Sequence, residues 1–178
     1  MTEELPDQQL PKSEVNTTPY AIKFGIIGGL LCIVISVILY ITDLQFESWS
    51  KWMTTLAMIV ILFIGLRSIA RDHPGMEVEY GKLFGAGMVI TLIITVLSIG
   101  YFLIYVYVID PDFINATMEI TRQKMQEQGL SEDQIEKALS ISAKFMTPPV
   151  MSVIASISTI IVGAIFSAIA AAVFKKEK

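Results

Sequence analysis

Few residues of this chain have the type and spacing that chemistry asks for. The single histidine, His73, sits in Asp72-His-Pro-Gly75. A ligating or catalytic role would need other donors beside it, and the plainer reading is a turn. The single cysteine, Cys32, stands in a long apolar run. One cysteine excludes an intramolecular disulfide and a cysteine cluster for zinc or iron–sulfur. Asp110 and Asp112 could hold a cation, yet Asp110-Pro111 also reads as a helix N-cap followed by proline at the first helical position. Arg67, Arg71, Asp72, Glu77 and Glu79 form a mixed-charge group that ion pairing and membrane orientation explain. Gly85-Ala-Gly87 is too short for a dinucleotide loop, and Asn115-Ala-Thr117 is a glycosylation sequon of a kind common by chance. The H-E-x-x-H, phosphate-loop, G-x-S-x-G and EF-hand patterns do not occur. The expectation is a protein that is not an enzyme and has no catalytic, cofactor-binding or metal-binding residue.

The elements that would position these groups follow from the charge distribution. Of the 178 residues, 53% are apolar and 17% charged, and the mean hydropathy is +0.62. Soluble domains carry about 25% charge. Phe24–Thr42, Trp52–Leu66, Leu83–Ile109 and Phe145–Phe174 hold no Asp, Glu, Lys or Arg, and together make up about half the chain. Helices without a polar face cannot form a soluble bundle. The net charge of −4 argues against a nucleic-acid partner. The chain reads as an all-α integral membrane protein whose first partner is the lipid bilayer.

A helix crosses the hydrocarbon core with roughly 20 apolar residues. Spans are expected at about residues 21–42, 52–70, 83–109 and 149–174, in one transmembrane domain over 20–178. Arg67 lies inside the second, near enough to its end to snorkel. The last two spans are long enough to tilt or extend beyond the bilayer. Pro148 and Pro149 suit the first turn of the fourth. Residues 1–19 read as a disordered, acidic cytoplasmic tail. That acidity, and the lack of a small-x-small site after the first span, speak against a cleaved signal peptide.

Four spans put both termini on one side. That side holds Lys12, Lys23, Arg67, Arg71, Lys82, Lys175, Lys176 and Lys178. The other holds Lys51, Arg122, Lys124, Lys137 and Lys144, and the positive-inside rule then places the termini in the cytoplasm. Trp49, Trp52, Tyr101, Tyr105 and Tyr107 fit an aromatic belt at the exterior interface. Small residues recur every fourth position in span four: Ala155, Thr159, Gly163, Ser167, Ala171. Span one has Gly25 and Gly29, and span three opens with Gly81 and Gly85. Such rows let helices approach closely, either within a four-helix bundle or in a homo-oligomer built on span four.

Residues 110–147, between spans three and four, are the one sizeable polar region. Phe113, Ile114, Thr117, Met118, Thr121 and Met125 recur at helical spacing up to Gly129, a C′ candidate. Ser131 with Gln134 makes a capping-box pattern, followed by Ile135, Leu139 and Phe145. The expectation is an extra-cytoplasmic helical hairpin. Its apolar face, including Phe113, Met118, Met125, Ile135 and Leu139, needs the other hairpin helix, the bilayer surface or a membrane protein partner to cover it.

Several stretches resemble the bacterial domain of unknown function 4199 family. They are the run Tyr101–Ile114, Gly129-Leu-Ser-Glu-Asp-Gln-Ile-Glu-Lys-Ala138, Lys144-Phe-Met-Thr-Pro148 and Tyr80-Gly-Lys-Leu-Phe-Gly85. The resemblance covers roughly Tyr20 to Lys178. It implies a small four-span protein of a Gram-negative inner membrane, and carries over no activity or functional residue.

Membrane depth without ionisable groups argues against an ion-coupled carrier. No internal repeat or broken span announces a transporter. Two functions then stand: a non-enzymatic scaffold or accessory subunit acting through its hairpin, and an oligomeric channel or transporter for a small solute.

Overall fold

Apolar runs of this length can satisfy their backbone amides in hydrocarbon only by bonding within the run, and four of them form helices. The computed structural model describes residues 15–47, 49–73 and 78–175, with Lys51 described by its backbone alone. Residues 1–14 of the expected tail, Pro74 and Gly75 of the expected turn, Glu77, Lys176 and Lys178 lie outside the described residues. The helices are α1 (Thr18–Ile41), α2 (Ser50–Asp72), α3 (Tyr80–Ile104), α4 (Phe113–Glu127), α5 (Glu132–Phe145) and α6 (Pro148–Phe174). Among the described residues there is no strand. α1, α2, α6, and α3 with its extension to Ile109 are long and apolar enough to cross a membrane. The chain is an all-α multi-pass membrane protein.

The ends differ from the expected spans by a turn or less. α1 begins at Thr18, with Pro19 in its first turn, where a proline costs no hydrogen bond. Val15, expected in the tail, is buried among core residues. α6 begins at Pro148, again with proline in the first turn.

α3 is the central helix, with its largest contacts to α1 and α6, while α2 packs on all three of the other spans. At the end of the bundle that carries the chain termini, packing is tight. Leu62, Leu66 and Ile69 of α2 and Leu83 and Ile90 of α3 are fully buried. Glycines set the helix spacing. Gly25 faces Ile93, Gly28 faces Ile94 and Ile61, and Gly29 faces Leu97. On the other side of α3, Gly87 meets Ser167 and Thr91 meets Gly163. The Ser167 hydroxyl is fully buried and has no hydrogen-bond partner among the described residues. It lies where a side chain on Gly87 would begin, 2.5 Å from that ideal Cβ position, a site for a Cα–H···O contact between helices.

The polar segment is a helical hairpin of α4 and α5. Gly129, at φ +78°, turns the chain after α4 in the left-handed conformation that glycine takes freely. Gln134 Oε1 accepts the Ser131 backbone N–H at 3.0 Å and so starts α5 with a capping box. Ile135 of α5 is 1% exposed, and the two helices pack on each other. Glu132 holds Arg122 and Gln126 of α4, each at 3.2 Å.

The expected start of the hairpin needs correction. Asp110 is not the N-cap and Pro111 is not the first helical residue: α4 starts at Phe113 after Asp112. α3 ends in a π-helical turn over Tyr105–Ile109, closed by the Asp110 N–H donating to Tyr105 O at 2.8 Å. That turn points the Asp110 carboxylate back at Tyr105, away from the α4 amides.

Candidate functional site

Each span brings small polar side chains to a similar depth below the hairpin end. They are Cys32 and Ser36 from α1, Thr54 and Thr55 from α2, Ser98 from α3, and Ser158 and Thr159 from α6. Together they line an axial cavity of about 260 Å³, floored by Met58, Ile94 and Val162. Below that floor lies the tight core of Leu62, Leu66 and Ile90, so the cavity is closed toward the termini. Cys32, Ser36, Thr54 and Ser98 are shared with a chamber of about 280 Å³ nearer the hairpin, which adds Gln45, Ser50, Tyr101, Phe102, Tyr105 and Phe113. A side hollow of about 170 Å³ between α3 and α6 joins at Ser98 and Thr159.

Among the described residues, no Asp, Glu, Lys, Arg or His lines any of the three. Several hydroxyl protons are already spent on backbone carbonyls one turn back. Ser36 donates to Cys32 O at 2.9 Å and Thr95 to Thr91 O at 2.8 Å. Ser152 donates to Pro148 O at 2.8 Å and Ser156 to Ser152 O at 2.6 Å. Such bonds satisfy the hydroxyl in an apolar setting and leave oxygen lone pairs free. The Cys32 thiol donates to Thr54 O at 3.7 Å. Where these bonds form, the hydroxyls offer acceptor lone pairs to the hollows they line, and a wall of this kind repels bare charge through desolvation.

The mouth is aromatic and latched. The Tyr105 hydroxyl lies 2.7 Å from Gln45 Oε1 and 2.7 Å from Asp110 Oδ2. A phenol has one proton, so it donates to the carboxylate. The Gln45 amide, turned by half a rotation, donates its N–H to the phenol oxygen. Phe113, the first residue of α4, packs its ring on Tyr105 at 5.3 Å and on Phe46 at 5.9 Å. Tyr40 meets Tyr105 edge-on at 5.3 Å. The α1–α2 loop, the end of α3 and the hairpin are therefore joined at one cluster over the upper chamber. The π-turn makes this possible, and π-bulges recur at functional sites.

Residues singled out by sequence fall into several places. Gly25, Gly29, Gly163, Ser167 and Ala171 are buried at helix contacts within the chain. Thr159 lines the axial cavity, and Ala155, exposed, borders the side hollow. Gly81 and Gly85 are exposed, with nothing among the described residues within 4 Å of an added side chain; the glycine of α3 that meets α6 is Gly87. On the hairpin, Ile135 is buried and Phe113, Met118, Met125 and Leu139 are half-buried, so their apolar face is partly covered by the chain itself. His73 caps the end of α2, its Nδ1–H donating to Ile69 O at 2.9 Å. Sequence reading missed Gln45, Ser98 and Tyr105 as site residues. The available signal was a small polar group at matching depth in every span.

A family model described as Protein of unknown function (DUF4199) matches residues 23–176. No curated protein and no solved structure matches the chain.

Proposed function

We propose that this chain, which belongs to the DUF4199 family of proteins of unknown function, passes a small uncharged solute through its own four-helix bundle without enzymatic chemistry. The observation that carries this reading is the axial cavity, to which all four spans contribute and which is closed toward the termini. A wall of hydroxyl groups suits a small solute that exchanges hydrogen bonds, such as a polyol, amide or water itself. Among the described residues that wall carries no charge, which disfavours ions on desolvation grounds. Passage is passive, because no described residue of the lining could couple it to a proton or ion gradient, and it requires the core below Ile94 to part. All four spans of a single chain contribute to the cavity wall. The charge bias and the family resemblance support a bacterial inner membrane, with termini in the cytoplasm and the cavity facing outward.

Reconstituted vesicles test this by their swelling in glycerol or urea. Faster swelling than protein-free vesicles, lost when Ser98→Leu fills the cavity, is the expected result. Equal swelling with and without the protein would remove the reading. A second reading, a scaffold or accessory subunit acting through the hairpin, draws on Ile141 and Phe145. These are exposed one turn apart on α5, next to the start of α6. A photo-crosslinker at Ile141 that captures one membrane protein reproducibly would favour it over solute passage.

A further inference from the structure

The lipid-facing stripe of α2 changes character toward the chain termini. Leu56, Val60 and Ile64 are exposed in successive turns, and the same stripe continues as Arg67 and Arg71. Ile64, Arg67, Ser68 and Arg71 line a shallow hollow of about 320 Å³ on that face. Arg67 lies five residues before the helix end at Asp72, roughly 7 Å along the axis. A guanidinium there reaches the headgroup level only by extending its stem along the helix. Arg71, 77% exposed, uses Nε on Asp72 Oδ1 at 3.0 Å, and among the described residues its two terminal nitrogens are left to other acceptors. The hollow therefore presents two guanidiniums one turn apart with a serine hydroxyl between them, above an apolar groove.

We propose that this hollow binds an anionic phospholipid. The phosphate sits between Arg67 and Arg71, within reach of the Ser68 hydroxyl, and an acyl chain lies along Ile64, Val60 and Leu56. Guanidinium pairs hold phosphate through parallel charge-assisted bonds. The apolar stripe directly below selects a phosphate that carries a tail over a free one. The site is on the opposite end of the bundle from the axial cavity and does not depend on solute passage.

The test is retention of phosphatidylglycerol against phosphatidylcholine by the whole protein in nanodiscs, read by native mass spectrometry. Each arginine contributes about one charge-assisted contact, so Arg67→Gln or Arg71→Gln should lower the preference roughly tenfold. The double variant should abolish it, while Arg122→Gln on the hairpin should leave it intact. Both arginines are exposed, so the variants keep the fold, and matching thermal unfolding in phosphatidylcholine checks this. Equal retention of the two lipids by the wild type would overturn the proposal. So would a double variant that still prefers phosphatidylglycerol, or equal loss in Arg122→Gln. Inorganic phosphate should compete poorly; full displacement by millimolar phosphate would assign the site to the free anion.

Discussion

Replacing Gly163 by alanine tests whether α3 and α6 are held at the distance that their small residues permit. A methyl at Gly163 would overlap the Thr91 Cγ2, and would lie 2.5 Å from its Oγ1 and 2.9 Å from its Cβ. Carbon atoms prefer about 3.5–4.0 Å. Rotating Thr91 only exchanges one clashing branch for the other, because its Cβ is also too close, so the backbones must move apart. Overpacking of this kind costs typically about 1–3 kcal/mol, and a rigid β-branched neighbour puts it at the upper end. Alanine regains up to about 1 kcal/mol over glycine inside a helix. The net expectation is a loss of about 2 kcal/mol, read by equilibrium unfolding in mixed detergent micelles. Gly85→Ala meets nothing within 4 Å and should be neutral or slightly stabilising. Thr91→Ala should recover about 1 kcal/mol of the Gly163→Ala loss in a double-mutant cycle. A Gly163→Ala protein as stable as the wild type, or a cycle with no coupling, would refute the packing argument. Because Gly163 lies inside the chain, a Gly163→Leu variant that loses crosslinked oligomers would report a damaged monomer.

Three further outcomes follow from the cavity and the hairpin. Cys32 lines both main chambers, so N-ethylmaleimide should label it in the folded protein, and Ser98→Leu should slow that labelling at least tenfold by mass spectrometry. Tyr105→Phe removes the hydroxyl shared by Asp110 and Gln45; it should cost about 1–3 kcal/mol and raise hydrogen exchange at the start of α4, while Tyr107→Phe, exposed, should not. Gly129→Ala forces a side chain into a positive-φ turn and should cost about 1 kcal/mol, with increased hydrogen exchange confined to α4 and α5.

Four spans, a helical hairpin, Gly129 as its hinge and Ser131 with Gln134 as a cap were all legible in the residues, because each depends on local chemistry. Hydrocarbon demands internally bonded backbone, positive φ favours glycine, and a capping box spans three residues. Asp110 was misread for the same reason. Its N-cap reading rests on its two neighbours, whereas its actual partner, Tyr105, is chosen by a π-turn that no local pattern announces.

The split between the two ends of the bundle was not legible either. Gly85 and Gly87 look equivalent in sequence, yet one is exposed and the other receives Ser167, because the rotation of α3 about its axis is set by packing. By itself the sequence determined that this chain lives in a membrane, where its four spans lie to within about a turn, and that no charge sits at depth, since those depend on the transfer of each residue from water. Only the tertiary structure decided that Ser36, Thr54, Ser98 and Thr159 face one another around a cavity. Small polar residues in hydrocarbon satisfy themselves on their own helix, so their sequence spacing is silent about which neighbour, or which solute, they face.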